Sequence, residues 1–170
     1  MGVRRVGASP ELTDHFKGRE AFVFLEDDPE VEGPLAALSA ALSWTVRREI
    51  PWLLVLSCDM PAVRMQLLAG MVALAMGEEG RMASAVVPQT PGRARPRYQP
   101  LHALYRARRV LPFVEEAIGR GEFKLQSLVE RLPEKVVLGP PRLESLDPMW
   151  RRGLFNVNTA EDLSALDEAT

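Results

Sequence analysis

The sequence predicts an α/β domain with a doubly wound, mostly parallel sheet and helices on both of its faces. Short apolar segments of β-like composition alternate with helix-like segments, and turn residues separate them. The apolar run Trp52–Leu56 is followed closely by Asp59 and Pro61. A run of that length bounded by a turn is typical of a strand that is buried on both faces and flanked by parallel strands. We expect one domain over residues 1–170, because that length suits a single domain.

The individual elements follow from the spacing of apolar residues and from the turn residues between them. Strands are predicted where short apolar runs lie between turns: Val3–Ala8, Ala21–Leu25, Trp52–Leu56, Ala83–Val87, Tyr98–Tyr105 and Lys135–Leu138. Helices are predicted where apolar residues recur with helical spacing: Pro34–Val46, Val63–Ala75, Val110–Ile118, Phe123–Arg131 and Ala160–Glu168. The segment Pro88–Pro96 is rich in Pro, Gly and Arg and is predicted to be a loop.

Composition and charge exclude several classes of function. A net charge of −2 gives no support for binding to nucleic acid or to a membrane surface. The single cysteine, Cys58, excludes an intramolecular disulfide and a cysteine-based zinc site, and we expect it to be buried. With only two histidines, a histidine-rich metal site is not expected, and His102 is predicted to be structural. No segment resembles a signal peptide or a membrane span, so we expect a cytoplasmic protein.

Asp59 lies where open α/β sheets bind their ligands, beyond the carboxyl end of a strand. A carboxylate at this place can hold a divalent cation against a substrate phosphate, because Mg²⁺ sites commonly use one or two carboxylates. Junctions between a strand and a helix also place Asp at the N-cap of the helix, and Pro61 would suit its first turn. The residues around Asp59 are compatible with both interpretations.

Two further segments carry candidate ligand-binding residues near turns. Gly33-Pro34-Leu35 follows an acidic turn that contains Asp27. A glycine at a helix start lets a ligand approach the backbone, although Gly-Pro is also a simple helix-start signal. Arg97-Tyr98-Gln99-Pro100 offers a cation, an aromatic ring and an amide. That set suits a heterocyclic or phosphate-bearing ligand, and it equally suits a solvated loop edge with a buried tyrosine.

The C-terminal segment carries two asparagines, Asn156 and Asn158, in front of the last predicted helix. Alternate residues of an extended segment point to opposite faces, so at least one of the two amides can reach a cleft at the strand ends. Thr159 and Asp162 resemble a capping box with Asp in place of Glu or Gln, which by itself explains several of these residues.

Four segments in this order resemble the molybdenum cofactor guanylyltransferases: Glu32–Leu38, Leu54–Pro61, Gln99–Arg106 and Phe155–Leu163. The resemblance extends over most of the chain, and the Gln-Pro-Leu form is more similar to the guanylyl than to the cytidylyl branch. It implies an NTP-transferase-like fold of the kind found in nucleotide-diphospho-sugar transferases. A single nucleotidyltransferase-like domain over residues 1–170 is therefore expected.

The resemblance also implies an activity and a role for each candidate residue. Enzymes of this family transfer GMP from GTP to molybdopterin in a Mg²⁺-dependent reaction that releases pyrophosphate. By position, Asp59 would bind the magnesium ion, with Asn156 or Asn158 near the metal and the phosphates. Asp27, Gly33, Pro34 and Leu35 would lie near the guanosine, while Gln99 and Pro100, next to Arg97, would lie on the pterin side.

One departure from the family pattern changes the expectation for this chain. The family begins with a strand that runs into a glycine-rich, triphosphate-binding loop, and no segment here matches it. We therefore expect the chain to start one βα unit late, by roughly 30 to 40 residues. Unpaired strand edges would favour association, with a second copy or with other cofactor-biosynthesis proteins. Alternatives are a non-catalytic binding or scaffold remnant of the fold, and a nucleotidyltransferase with another phosphorylated acceptor.

Overall fold

The computed structural model describes residues 33–92 and 94–168 together with Leu25, Pro29 and Val31. Asp27, the strand predicted over Val3–Ala8 and all but the last residue of the one predicted over Ala21–Leu25 lie outside these residues. In chain order the described elements are α1 (Pro34–Arg47), β1 (Trp52–Leu56), α2 (Met65–Met76), β2 (Ala85–Thr90), β3 (Arg97–Tyr98), β4 (His102–Arg106), α3 (Ala107–Gly119), α4 (Leu125–Arg131), β5 (Val136–Leu138), α5 (Pro140–Leu146), α6 (Trp150–Gly153) and α7 (Ala160–Glu168).

The described strands form one mixed sheet. Strand β4 pairs antiparallel with β1 and β2, β3 pairs antiparallel with β2, and β5 pairs parallel with β2. The α/β class, with a sheet between helices, is confirmed. Among these strands the ladders are mostly antiparallel, whereas a mostly parallel sheet was expected. The reason is that short connections join β2, β3 and β4, and a short connection can pair strands only in the antiparallel sense.

Strands β3 and β4 are one strand interrupted by a bulge. Both run antiparallel to β2, with Tyr98 opposite Gln89 and Tyr105 opposite Ala85. Seven positions separate the two tyrosines but only four separate their partners, so three extra residues, Gln99–Leu101, lie between the two ladders. The predicted single strand over Tyr98–Tyr105 is therefore divided at the Gln-Pro-Leu motif.

Both ladders use the same edge of β2. The carbonyl groups of Ser84 and Pro88 accept the N–H groups of Arg106, at 2.8 Å, and of Gln99, at 2.9 Å. Along a strand the carbonyl groups alternate between the two edges, so residues four positions apart point to the same one. Extra residues in one strand of such a pair turn side chains out of the sheet, as is common beside active sites.

Strand β1 is less buried than its apolar sequence predicts. Leu54 is 36% exposed and Leu56 is 42% exposed, and the strand β4 beside them runs antiparallel. Leu53 and Val55 point to the other face and pack into a core with α1. Helix α2 packs mainly on β2 and β4, and Leu54 and Leu56 stay partly exposed on the same side of the sheet.

Helices cover both faces of the sheet, and each face has its own core. On one face α1, α3 and α4 pack around buried residues that include Leu35, Leu42, Tyr105 and Val110. On the other face α2, α5 and α6 pack around buried residues that include Leu67, Met71, Val86, Leu104 and Trp150. Neighbouring residues of β2 and β4 enter opposite cores, as the alternation of side chains along a strand requires. None of the helices in the described residues has the length and hydropathy of a membrane span.

Three local predictions need correction. Helices α5 and α6 were not predicted, although Gly139-Pro140 is the same helix-start signal that precedes α1. Cys58 is exposed, because it lies in the turn after β1 and not in the strand. Strand β2 continues through Pro88 into the predicted loop. A proline is tolerated there because it lies beside the bulge, where the ladder is interrupted and its missing N–H is not required.

An ion pair ties the loop after β1 to the turn between α5 and α6. The guanidinium of Arg64 donates to both carboxylate oxygens of the fully buried Asp147, with Nε to Oδ2 at 2.9 Å and Nη2 to Oδ1 at 3.2 Å. The N–H of Met149 donates to the same carboxylate. These hydrogen bonds, that of Arg64 above all, hold the pKa of Asp147 below its usual value. A Cβ on Gly153 would lie 2.5 Å from Cγ of Arg64, so only glycine leaves room for this side chain.

Replacing Arg64 by Met should destabilise the protein several-fold more than the loss of an exposed ion pair, because the buried carboxylate of Asp147 would lose its cation. Chemical denaturation at pH 7 measures the change. Arg142 pairs with Glu79 at the surface, so Arg142→Met is the matched control and should cost about 0.5 kcal/mol or less. Equal effects of the two substitutions would contradict a special role for the buried pair.

His102 is fully buried on β4, and neither ring nitrogen has a hydrogen-bond partner within the described residues. The ring points to the same face of the sheet as Leu104, which packs among the apolar residues of the α2 core. Burial lowers the pKa of His102 to about 4, because the apolar surroundings disfavour the charged form. The predicted structural role of this histidine agrees with its position.

Protonation of His102 should make the fold sensitive to mild acid. The folded-state pKa of about 4 lies below the unfolded value of 6.5, so the neutral ring contributes its full stability above pH 6.5. That contribution falls as the pH drops from 6.5 towards 4, and about 3 kcal/mol should be lost by pH 4. His102→Leu should flatten the pH dependence of the unfolding free energy in this window. An unchanged slope in the variant would mean that another group is responsible.

Candidate active site

Asp59 occupies the turn that follows β1, and its carboxylate is held by two neutral donors. The hydroxyl of Ser57 donates to Oδ1, and the side-chain amide of Asn156 donates to Oδ2 at 3.3 Å. Helix α2 begins only at Met65, with Arg64 at its N-cap. Asp59 therefore does not cap the following helix, which removes one of the two interpretations left open by the sequence.

The segment in front of α7 lies directly against this turn. The N–H of Val157 donates to the backbone carbonyl of Asp59 at 2.7 Å, which brings Asn156 to the carboxylate. The capping box is confirmed: Oγ1 of Thr159 accepts the N–H of Asp162, and Oδ2 of Asp162 accepts the N–H of Thr159. The same Oδ2 also accepts the N–H of Asn158, and these hydrogen bonds hold the pKa of Asp162 below its usual value.

The Gln-Pro-Leu bulge is anchored on three sides. Nε2 of Gln99 donates to Oγ1 of Thr90 at 2.8 Å, and the hydroxyl of the buried Tyr105 donates to the carbonyl of Pro100 at 2.7 Å. Burial raises the pKa of Tyr105 well above its usual value, so its hydroxyl remains a donor. The carbonyl of Leu101 accepts the N–H of Ser57 at 2.9 Å, which joins the bulge to the turn that carries Asp59.

A side-chain amide on α4 supports the strand before the bulge. Gln126 accepts the N–H of Tyr98 at 3.1 Å and donates to the carbonyl of the same residue at 2.6 Å. The side-chain amide of Gln126 thus takes the place of a neighbouring strand, because it forms hydrogen bonds with both the N–H and the carbonyl of Tyr98. Gln126 thereby holds Arg97 and Gln99, on either side of Tyr98, in register with β2.

These segments surround an open cavity of about 610 Å³. Its walls include Asp59, Arg97, Gln99, Pro100, Asn156 and Asn158, so six of the residues predicted from the sequence meet at one place. Asp162 and Arg151 also line the cavity, so its walls carry two carboxylates and two guanidinium groups. Such a site can bind a polar, anionic ligand beside the carboxylate of Asp59.

The donor set around Asp59 fits a magnesium ion that is shared with a substrate. Among the described residues no three His, Cys, Asp or Glu side chains lie together as a metal cage. One carboxylate is instead accompanied by the hydroxyl of Ser57 and the side-chain amide of Asn156, which both donate hydrogen bonds to it. Mg²⁺ typically keeps several waters and binds through one or two carboxylates together with substrate phosphates, so a single carboxylate is sufficient when a triphosphate supplies the other ligands.

The residues predicted to lie near guanosine are not part of this cavity. Gly33, Pro34 and Leu35 form the start of α1, and none of them lines its walls. Leu35 is fully buried in a core, while Gly33 has φ of 71° and ψ of −160°, a conformation that essentially only glycine adopts. The helix-start interpretation of Gly-Pro therefore accounts for these residues in the structure. Asp27 lies outside the described residues.

Several cavity residues were not identified from the sequence. They include Ser57, Gln126, Trp150, Arg151 and Phe155. Ser57 and Phe155 lie inside two of the recognised segments, Leu54–Pro61 and Phe155–Leu163, but the motifs gave neither residue a role. Gln126 and Arg151 lie on α4 and α6, and no local pattern indicates that these helices reach the site.

Comparison with known proteins identifies the family. Residues 2–136 match the family model of the MobA-like NTP transferase domain. The chain is 31% identical, over 89% of its length, to a Methanosarcina mazei protein named "Probable molybdenum cofactor guanylyltransferase". It is 33% identical, over 79% of its length, to the molybdenum cofactor guanylyltransferase of Acidovorax sp. (strain JS42). The matches span 62% and 61% of these two relatives, so the chain corresponds to less than two thirds of their length.

The fold agrees with this assignment. The structure resembles the crystal structure of molybdopterin-guanine dinucleotide biosynthesis protein A from Archaeoglobus fulgidus, with a TM-score of 0.69 and 25% identity. That likeness covers 95% of this chain and 74% of the other. The family indicated by four sequence motifs is thus confirmed by sequence and by structure. The chain belongs to the MobA-like NTP transferase family.

Proposed function

We propose that the protein transfers GMP from GTP to molybdopterin and releases pyrophosphate, with Mg²⁺ as the cofactor. The observation that carries this proposal is the meeting of Asp59, Asn156 and the Gln99-Pro100 bulge around one cavity. The family match and the names of the relatives support the class of reaction. The geometry supports it independently, because a carboxylate, neutral amides and a cation converge where a phosphate would be handled.

In the proposed reaction a phosphate oxygen of molybdopterin attacks the α-phosphorus of GTP. A new bond forms between that oxygen and the α-phosphorus, while the bond from the α-phosphorus to the oxygen that bridges to the β-phosphorus breaks. Pyrophosphate leaves with the electron pair of the broken bond. A transfer of this kind requires little covalent chemistry from the protein, which acts mainly by positioning and by electrostatic stabilisation.

The chain's residues divide this work according to their position. A magnesium ion bound at Asp59 would neutralise phosphate charge during the transfer. Asn156 and Ser57 hold the carboxylate of Asp59 in place by hydrogen bonds. Asn158 lines the same wall and can donate to phosphate oxygens. Arg97, exposed beside the bulge, has no carboxylate partner in the described part of the chain and can pair with the phosphate of the acceptor.

Incubation of the protein with GTP, Mg²⁺ and molybdopterin should release pyrophosphate, measured by a coupled assay. Omission of molybdopterin or of Mg²⁺ is the control, and replacement of GTP by CTP tests the guanylyl preference. Release with a different phosphorylated acceptor, but not with molybdopterin, would contradict the proposed acceptor. Binding of GTP and molybdopterin without any release of pyrophosphate would favour a non-catalytic binding protein of this fold.

Asp59→Asn should lower the rate of pyrophosphate release by at least ~100-fold, because it removes the charge that attracts the cation but keeps the shape of the side chain. The melting temperature should change little, since the backbone contact with Val157 does not involve the carboxylate. Glu161→Gln is the matched control: this exposed carboxylate is next to Asp162 in the chain but does not itself line the cavity. A rate near that of the unchanged protein would exclude Asp59 as the metal ligand.

A further inference from the structure

The cavity contains an arginine and a tryptophan that are stacked and tied together. The guanidinium carbon of Arg151 lies 4.5 Å from the centre of the Trp150 ring. Oε2 of Glu144 accepts hydrogen bonds from both, from Nε1 of Trp150 at 2.9 Å and from Nη1 of Arg151 at 3.1 Å. The guanidinium is therefore held over the indole ring by the close contact and by a shared carboxylate.

The exposures of the two side chains show which surface this arrangement offers. Trp150 is only 3% exposed and belongs to the core under the cavity, whereas the side chain of Arg151 is 69% exposed. One face of the guanidinium rests on the indole, so the opposite face is open. Both residues line the cavity together with Asp59, Gln99 and Asn156. A flat cationic surface thus forms part of the candidate active site.

Two other arginines in the described residues stack on tryptophans, and neither pair lines this cavity. Arg48 lies 4.5 Å from the ring of Trp44 at the end of α1. Arg106 lies 4.6 Å from the ring of Trp52, and its guanidinium also donates to backbone carbonyls of the loop before β2. Stacking of arginine on tryptophan is therefore also a structural feature of this chain, and its location in the cavity distinguishes Arg151.

The charge of Arg151 indicates what kind of ligand group would use its open face. The carboxylate of Glu144 already neutralises this guanidinium, which makes it a weaker site for phosphate than an unpaired arginine. Its planar face remains available, and guanidinium planes stack well on aromatic heterocycles. Arg97, on the same cavity, offers the cation for a phosphate group.

We propose that Arg151, supported by Trp150, is the stacking platform for the pterin ring of the acceptor. This inference rests on the proposed function and adds a specificity-determining residue to it. The pterin is favoured over the guanine ring because Arg151 shares its cavity with Gln99 and Pro100, which the family resemblance implies to lie on the pterin side.

The test compares the binding of two planar heterocycles, pterin-6-carboxylate and GMP, by isothermal titration calorimetry. Arg151→Ala should weaken binding of the pterin roughly tenfold, the scale of one stacking contact. Arg151→Lys keeps the charge but loses the plane, so it should bind the pterin several-fold more weakly than the unchanged protein. GMP binding should stay within about twofold in both variants. Arg48→Lys, at the matched stack on Trp44, should leave binding of both probes unchanged.

Each contrary result overturns the proposal in a different way. Normal pterin binding by Arg151→Lys would show that charge alone matters, and selective loss of GMP binding would assign the platform to the nucleotide base. A lack of pterin binding by the unchanged protein would also refute it. Pyrophosphate release, measured on the same proteins, tests the proposed function separately from the role of Arg151 in pterin binding. If the protein releases pyrophosphate but binds the pterin equally well without Arg151, only the stacking role of Arg151 is refuted. If pterin binding depends on Arg151 but no pyrophosphate is released, only the proposed transfer reaction is refuted.

Discussion

The hydrogen bond from the N–H of Val157 to the carbonyl of Asp59 is the contact on which the site depends. It joins the turn after β1 to a segment almost a hundred residues later in the chain. Because it is made by backbone atoms, it fixes the direction of both segments whatever their side chains do. The amide of Asn156 then reaches the carboxylate of Asp59. The neighbouring bond from Ser57 to Leu101 brings the bulge to the same place.

Side chains outside the cavity make this junction rigid. Arg64 and Asp147 connect the loop after Asp59 to the turn that leads into α6, and Gly153 leaves the space for that contact. On the other side, Tyr105 in the core holds the bulge, and Gln126 on α4 holds the strand before it. Each anchor binds a backbone group or a buried charge. The residues that face the cavity are therefore positioned in advance, which limits the entropy that ligand binding would cost.

The charges of the site are distributed in a way that separates different tasks. Asp59 is surrounded by neutral donors, which leaves its negative charge for a cation. Asp162 is occupied by backbone N–H groups of the capping box, so it serves the helix start although it lines the cavity. Arg151 is paired with Glu144 and stacked on an indole. Two carboxylates on one cavity thus have different roles, which follow from their hydrogen-bond partners and not from residue type.

Local patterns in the sequence determined the α/β class, the positions of most helices and strands, the capping box and the motifs that contain Asp59, Gln99 and Asn156. These features depend on the spacing of apolar residues and on turn chemistry, which act over a few residues. Only the tertiary structure decided that β4 returns antiparallel to β1, that Gln99 to Leu101 bulge from the sheet, and that Gly33 lies away from the cavity. It alone brought Gln126 and Arg151 to the site. Such contacts join residues far apart in the chain, and their geometry is set by strand register and helix packing, for which no local pattern exists.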